Sequence, residues 1–285
     1  MRSFLTFFLL FTPIFFLAPA FCLPTAEKEA PPPSKYVLPE RIVKDGEVRS
    51  TADLILGNLA AQEIRGYHPE ALKAAAVAAT TRLTALWEKQ GNADGYQTLS
   101  PAEAKKSWGD YAFSRYWPEL QTAVEAVWGE TLIKDGAIYQ EAAVFPLSWG
   151  KTEAGTECPY DHTSNDFETA VTLPLSDFTA VFPQYSASLK IKNAQSGRVE
   201  SVTSGDVILS GWEVMERFSL PSPAFTLSVN ATNAVFRCKG RGDGRGMSLY
   251  GANERAKIGE GYREILKAFY PDASVQGVNR SAGSR

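Results

Sequence analysis

The sequence predicts an α+β fold in a single domain, with helices mainly in the first half and at the C-terminus and antiparallel-rich strands in the second half. Apolar residues recur at helical spacing between residues 50 and 91, whereas apolar and polar residues alternate between about 131 and 238. Because the helices come early and the strands late, repeated strand-helix-strand units are not expected.

Two helices open the domain. The first begins at Ser50, which forms a weak capping box with Asp53, and it ends at Gly66. The second begins at Pro69, carries apolar residues at spacings of 3, 4 and 7, and ends before Gly91. Two further helical pieces are predicted over residues 101–108 and 117–127.

The alternating second half begins with a hairpin over residues 131–140, whose tight turn is Asp135-Gly136. Further strands are predicted at 188–192, 198–202, 206–209, 225–229 and 234–238. A last helix over 248–268 completes the domain, and residues 271–285 are predicted to form a flexible polar tail.

The first forty residues predict export. Arg2 precedes an apolar run over residues 4–17 and small residues over 18–20, which is the order of a secretory signal. We assign residues 1–20 to a signal peptide, 21–40 to a proline-rich linker and 41–270 to one domain. Cleavage before Phe21, cleavage before Leu23 and a lipid anchor at Cys22 are the alternatives. The predicted location is the periplasm or cell envelope, with membrane anchoring if the signal segment is retained.

The composition narrows the function classes. The formal charge of −3 becomes −4 without Arg2, which argues against a nucleic-acid role that rests on a basic surface. Two histidines and the lack of a Cys-x-x-Cys pair give poor support for a metal site, so no metal and no cofactor are expected. The spacing of Cys158 and Cys238 leaves open whether they pair in an oxidising compartment.

Glu63 is the first candidate for chemistry, because the pattern places it in the last turn of the first helix. The unpaired carbonyls and the negative end of the helix dipole disfavour an added negative charge there. A carboxyl group that keeps its proton suits a general acid. From its position alone, an ordinary solvated glutamate is the simpler interpretation.

The second candidate is the glycine segment, residues 240–252, in which glycine occupies every other position over 240–246. A backbone without side chains to shield it can approach a ligand closely or adopt positive φ at several places. A flexible surface loop is the alternative. The Gly-Lys-Ser/Thr ending of a phosphate-binding loop is absent from the segment, so a nucleotide is not expected.

A series of short motifs runs in order through most of the predicted domain. They lie at residues 60–64, 69–79, 148–152, 159–160, 196–199, 220–225, 246–252 and 261–266. The series resembles the stage II sporulation protein D family, whose members are lytic transglycosylases of peptidoglycan and whose relatives include amidase-enhancer proteins. Residues 60–64 resemble the family's Ala-Gly-Glu-Met segment, and residues 246–252 resemble Gly-Met-Ser-Gln-Tyr-Gly-Ala.

The resemblance implies a lytic transglycosylase in which Glu63 is the general acid and base, acting between N-acetylmuramate and N-acetylglucosamine. In such an enzyme the 6-hydroxyl of the sugar attacks the anomeric carbon, so no second carboxylate is needed. The implied partners are peptidoglycan glycan strands stripped of stem peptides and a peptidoglycan amidase. The implied substrate-binding residues are Lys73, Thr80, Ser148, Thr152, Tyr160, His162, Asp243, Gly244, Met247 and Ser248.

The sequence departs from the family pattern at several of these places. Thr80 stands where the family has arginine, and Asp243 replaces a histidine. Leu249 replaces a glutamine and Trp149 a glycine. On a helix, Thr80 lies within about 20° of Lys73, which would be the lone cation of that face; a surface lysine is the alternative.

These departures favour a second interpretation, a catalytically silent peptidoglycan-binding or amidase-activating envelope protein of the same fold. Both interpretations predict the same cleft. Its walls are the end of the first helix, the start of the second helix, residues 148–160 and the glycine segment.

Overall fold

The structure is a computed structural model that describes residues 34–281. The predicted signal peptide and residues 21–33 of the predicted linker lie outside these residues. The described chain falls within one compact unit. None of its helices between residues 34 and 281 combines the length and the apolar character that a membrane span requires.

The first half of the described chain is mainly helical, as the sequence predicts. Its elements are β1 (Ser34–Pro39), β2 (Arg41–Lys44), β3 (Glu47–Ser50), α1 (Thr51–Ala61), α2 (Pro69–Gln90), α3 (Pro101–Trp108), α4 (Asp110–Ala126), β4 (Glu130–Lys134) and β5 (Ala137–Ile138). The predicted bounds of α2 are confirmed, since Gly91 closes the helix with a φ of 74°. The β2–β3 hairpin is not among the predicted elements, although its Asp45-Gly46 turn carries the same signal as the confirmed β4–β5 hairpin.

The second half is rich in strands, so the α+β class is confirmed. Its elements are β6 (Val144–Phe145), β7 (Glu168–Pro174), α5 (Leu175–Val181), α6 (Tyr185–Ser188), β8 (Lys190–Asn193), β9 (Val199–Ser204), β10 (Val207–Ser210), α7 (Gly211–Phe218), β11 (Phe225–Val229), β12 (Asn233–Lys239), β13 (Met247–Ser248), α8 (Leu249–Lys257), α9 (Tyr262–Phe269) and β14 (Ser274–Ser281). α7 is not among the predicted helices, although Ser210 and Glu213 form a complete capping box at its start.

Most strand pairs are antiparallel. The strand orders are β1-β14-β4-β5, β10-β9-β8 and β11-β12-β7, with the separate pairs β13-β6 and β2-β3. The β1–β14 and β6–β13 pairs are parallel. β12 is hydrogen-bonded along its length to β11 on one side and β7 on the other, so it is the central strand of its sheet.

Two hydrophobic cores support the site. The first surrounds α2, which packs against α1, α4, α8, α9 and β4. The second lies between β7, β9, β11 and β12 and the helices α5 and α7, where phenylalanine rings pack together; Phe178 and Phe182 have centroids 5.2 Å apart. Burial of each such ring contributes about 1.5–3 kcal/mol. Residues 145–167 and the glycine segment connect elements of these two cores.

Three of the differences between the predicted and observed elements have a clear physical reason. α1 ends at Ala61, ahead of Gly66, because Glu63 leaves the helical conformation. The predicted helix over 248–268 is two helices, α8 and α9, because the helical conformation is interrupted at Gly259, which has a φ of 101°. Residues 274–281 of the predicted tail form β14, which pairs with β4 and with β1 from the predicted linker. Backbone pairing with distant strands explains why polar sequences become strands there.

Candidate active site beside the first helix

Glu63 lies just beyond the C-terminus of α1. The sequence placed it within the last turn of that helix, so the helix ends earlier than predicted. Gln62 caps the helix, and Glu63 has a left-handed backbone with a φ of 58°. This conformation costs a residue with a Cβ about 1–2 kcal/mol, and glycine is the usual residue at this position. A glutamate thus occupies a place where its backbone is strained, which is a feature of functional positions.

The residues that follow Glu63 are anchored in the first core. Ile64 is buried, and the Tyr67 N–H donates to the Ile64 carbonyl at 3.3 Å. The His68 N–H donates to Asn253 Oδ1 at 2.8 Å, which ties the connection between α1 and α2 to α8. The backbone of Glu63 is therefore held between a helix end and a fixed connection.

Glu63 borders a cleft of about 180 Å³, called here the Glu63 cleft. The other residues that line it are Gln62, Tyr67, Pro146, Leu147, Ser164, Asp166, Arg241, Leu249 and Tyr250. Arg241 forms an ion pair with Glu63, with Nη2 at 3.4 Å from Oε2. The two side chains are 54% and 63% exposed, so the pair contributes no more than about 1 kcal/mol.

The backbone of Arg241 is fixed by two hydrogen bonds to Leu147. Arg241 N donates to Leu147 O at 2.7 Å, and Leu147 N donates to Arg241 O at 3.1 Å. Gly242 permits this close approach, because a Cβ there would lie 2.9 Å from Pro146 Cδ and 3.0 Å from Phe145 Cβ. The start of the glycine segment is therefore packed against residues 145–147.

A buried aspartate joins the segments that border the Glu63 cleft. Asp161 Oδ2 accepts hydrogen bonds from Ser148 N at 2.8 Å and Ser248 Oγ at 2.6 Å. Burial raises the pKa of the Asp161 carboxyl above its ordinary value, and the two serines offset part of this rise. Asp161 Oδ1 is buried without a hydrogen-bond partner among residues 34–281.

Two tyrosines, Tyr67 and Tyr250, line the Glu63 cleft. Burial, followed by the effects of Tyr250 and Asp161, raises the pKa of Tyr67 to about 12. The phenol of Tyr67 therefore keeps its proton at neutral pH and is a hydrogen-bond donor. The hydroxyl of Tyr250 lies 3.0 Å from Thr163 Oγ1, which connects α8 to the short 3₁₀ turn Asp161–Thr163.

Half of the residues predicted to bind substrate instead hold the framework of the site. Ser148, Thr152, Gly244, Met247 and Ser248 are all buried. Ser148 and Ser248 hold Asp161. Thr152 Oγ1 accepts from Thr156 N at 3.0 Å within its own turn, and Met247 N donates to Ala143 O at 3.0 Å. These buried residues support the segments around the cleft and do not line the cleft itself.

Thr80 and Lys73 do not line the Glu63 cleft. Thr80 is buried and donates to Ala76 O at 2.8 Å inside α2, so the expected position on a substrate cleft is wrong. Lys73 Nζ pairs with Glu70 Oε1 at 2.5 Å and borders a second cavity, of about 490 Å³, between α2 and α4. Arg115 of α4 lines that second cavity too, and Tyr67 lines both cavities.

The remaining predicted residues lie nearer the surface. Tyr160 is half-buried at the start of the 3₁₀ turn, and His162 within that turn is exposed. Asp243 Oδ1 accepts from Arg245 N at 3.0 Å in its own turn. Cys158 and Cys238 are free, buried thiols, and burial raises their pKa values to about 12 and about 11. Cys158 and Cys238 therefore do not form a disulfide with each other in this structure.

The cleft also contains residues that the sequence patterns did not indicate. Arg241 lies inside the glycine segment, and Tyr67 lies in the short connection after Glu63. A polar or aromatic residue in a connection next to a candidate acid is the signal that identifies them. Asp166 adds a second carboxylate where none was expected. Between residues 34 and 281, no group of three or more His, Cys, Asp or Glu side chains is arranged to hold a metal ion.

Two known proteins are similar to this chain over most of its length. Stage II sporulation protein D of Bacillus subtilis (strain 168) is 27% identical over 258 residues, which cover 78% of this chain and 73% of that protein. Stage II sporulation protein D of Bacillus amyloliquefaciens is 26% identical over 261 residues, with the same shares covered. No protein-family model matches the sequence.

Proposed function

We propose that this chain, which is 26–27% identical to two stage II sporulation protein D proteins over 78% of its length, is a member of that family and an exported lytic transglycosylase of peptidoglycan glycan strands, with Glu63 as general acid and base. The observation that carries this proposal is the place of Glu63, a carboxyl group on a strained backbone at a cleft with Arg241 and two tyrosines. The substrate lies outside the cytoplasm, so the proposal also requires the export predicted from residues 1–20.

The proposed reaction has two steps at one carboxyl group. Glu63 first donates its proton to the glycosidic oxygen as the bond to the anomeric carbon of N-acetylmuramate breaks, and positive charge develops on the sugar. The ionised Glu63 then accepts the proton of the muramate 6-hydroxyl as that oxygen attacks the anomeric carbon. The product is a 1,6-anhydro-muramyl end, and no water is consumed. The phenol of Tyr67 supplies a hydrogen bond to the bound sugar.

Asp166 gives the Glu63 cleft a second carboxylate. In the proposed reaction, its negative charge stabilises the positive charge that develops on the sugar. In a hydrolase, a second carboxylate would activate water or form a covalent adduct, and the product would carry a reducing end. The chemical nature of the new end therefore distinguishes the two roles of Asp166.

A catalytically silent protein that binds peptidoglycan or activates an amidase is the second candidate. It is favoured by Asp243, which stands where the family has histidine and whose carboxylate is occupied by the N–H of Arg245. It is also favoured by Thr80, which is buried where the family has arginine. Thr80 does not reach a ligand from its buried position, and Asp243 is an acceptor where a histidine can donate.

The test is to incubate the mature protein with intact peptidoglycan and with strands stripped of stem peptides, and to identify the new ends by mass spectrometry. We expect 1,6-anhydro ends from the wild type. Glu63→Gln should lower the rate at least about 100-fold, because a positioned acid-base group contributes about 10²–10⁴-fold. Glu216→Gln, which neutralises an exposed carboxylate of α7, is the matched control and should keep full activity.

Each other outcome has a defined meaning. Reducing ends would assign hydrolysis, with Asp166 as the second acid. Cleavage that survives Glu63→Gln would refute the assignment of the acid. Binding without cleavage on either substrate would support the second candidate.

A further inference from the structure

We propose that Arg241 is the receptor for the free lactyl carboxylate of N-acetylmuramate, and that binding of this carboxylate releases Glu63 from its ion pair. The inference rests on the proposed function, which supplies the glycan substrate. A muramate that carries a stem peptide has this group as an uncharged amide. Removal of the peptide leaves a carboxylate, so a stripped strand presents an anion that an intact strand lacks.

Arg241 is placed to receive such an anion. Its backbone is bonded in both directions to Leu147, so the side chain starts from a fixed point beside the Glu63 cleft. The side chain is 54% exposed, which leaves the guanidinium accessible to a ligand. Its hydrogen bond to Glu63 uses Nη2 alone, at 3.4 Å. A guanidinium carries five N–H donors in a fork that matches both oxygens of a carboxylate.

The pair between Arg241 and Glu63 is weak enough to be exchanged. Both charges are more than half exposed, and solvent screens such pairs strongly. A bidentate contact with a substrate carboxylate is shorter and stronger than one long contact. The substrate can therefore take the guanidinium from Glu63.

The exchange has a consequence for catalysis. While Arg241 pairs with Glu63, the Glu63 carboxyl group is engaged by the guanidinium. When Arg241 turns to the lactyl carboxylate, the Glu63 carboxyl group is released to contact the glycosidic oxygen. Arg241 thus selects the stripped strand, and binding of that strand by Arg241 releases Glu63 for the first step of the reaction.

Arg245 is a natural control. It lies in the same glycine segment and carries the same charge, but its guanidinium stacks on the ring of Trp212 in α7, 4.9 Å from the ring centroid. It does not line the Glu63 cleft. Arg245→Gln therefore makes the same change in charge without removing the proposed receptor.

The first test compares stripped glycan strands with the same strands after conversion of their lactyl carboxylates to amides. Binding by cosedimentation and the rate of cleavage are measured for the wild type, Arg241→Gln and Arg245→Gln. The wild type and Arg245→Gln should prefer the carboxylate strands roughly tenfold. Arg241→Gln should treat both strands alike. A wild-type ratio near one, or an unchanged ratio in Arg241→Gln, would overturn the receptor.

A second measurement tests the exchange. On amide strands, Arg241 of the wild type has no substrate anion and stays on Glu63. Arg241→Gln should therefore have a higher kcat than the wild type on amide strands, by about two- to fivefold. A role for Arg241 in structure or binding alone predicts an equal or lower kcat, and that result would overturn the exchange.

Binding in the Glu63→Gln background separates this inference from the proposed function. If no variant cleaves, the transglycosylase proposal fails. A tenfold binding preference of Glu63→Gln for carboxylate strands, lost in the Glu63→Gln/Arg241→Gln protein, still supports the receptor. Equal binding of both strands by Glu63→Gln overturns the receptor, whether or not the wild type is active.

Discussion

At Glu63, local stability and the proposed chemistry make opposite demands. The left-handed position after α1 favours glycine, whereas acid catalysis needs a carboxyl group. Asp45, Asp135 and Ser219 also have positive φ; each aspartate precedes a glycine in a hairpin turn where aspartate is common, and Ser219 is the C-cap of α7. Glu63 differs from these three residues in that it also lines a cleft. Its strained backbone and its place at the cleft together support a role for this carboxyl group.

Glu63→Gly should stabilise the protein and abolish cleavage. Glycine adopts a φ of 58° without a Cβ, so we expect the free energy of unfolding to rise by roughly 0.5–1 kcal/mol. Chemical denaturation measures the change. Glu63→Ala removes the carboxylate but keeps the Cβ, so its stability should stay within about 0.5 kcal/mol of the wild type. A Glu63→Gly protein no more stable than Glu63→Ala would contradict the strain.

The glycine segment and the segment after β6 form a single packed unit. A Cβ on Gly244 would lie 2.1 Å from Trp149 Cη2, so the indole occupies the space above this glycine. Trp149 Nε1 also donates to Ser196 O at 2.7 Å. Trp149, which stands where the family has glycine, therefore links the glycine segment to the turn before β9. This departure from the family pattern is structural.

Gly244→Ala should destabilise the protein by more than its backbone conformation explains. A φ of 73° costs alanine about 1 kcal/mol, and the overlap with Trp149 raises the total to at least about 2 kcal/mol. Gly91→Ala is the matched control, since Gly91 has a φ of 74° and open space around its Cβ position. In a Trp149→Ala background, Gly244→Ala should cost no more than the control. Additive effects of the two substitutions would contradict the packing.

The cleft is assembled from segments that lie far apart in the sequence. Glu63 and Tyr67 follow α1 in the first core, whereas Arg241 follows β12 in the second core. The ends of the described chain also meet, because β1 and β14 pair in parallel and β14 pairs with β4. The segment predicted to be a flexible tail thus completes a sheet beside the first core, against which Val275 packs.

Removal of residues 274–285 should lower the stability of the domain. The truncation removes β14 and leaves β4 without one of its neighbours. We expect a loss of at least about 2 kcal/mol, or roughly 4–8 °C in Tm for a domain of this size. Calorimetry on the full and truncated chains measures it. Val275→Asp, which leaves the backbone of β14 intact, should also lower Tm, because Val275 packs against the first core. An unchanged Tm would support the tail prediction.

The sequence alone determined the features that depend on neighbours along the chain. Pro69 and Gly91 bound α2 because proline suits a first helical turn and glycine suits the left-handed cap. The Asp135-Gly136 hairpin and β11 follow from turn chemistry and alternation within a few residues. The short motif at residues 60–64 predicts Glu63 as the candidate acid.

Only the tertiary structure decided which faces are buried and which distant residues meet. Helical spacing places Thr80 and Lys73 on one side of α2, but packing of α1, α4, α8 and α9 decides that Thr80 is core. β14 exists because strands far away in sequence supply its hydrogen bonds. Arg241 reaches Glu63 across 178 residues. Such contacts depend on the fold of the whole chain, so they cannot be predicted from local sequence propensity.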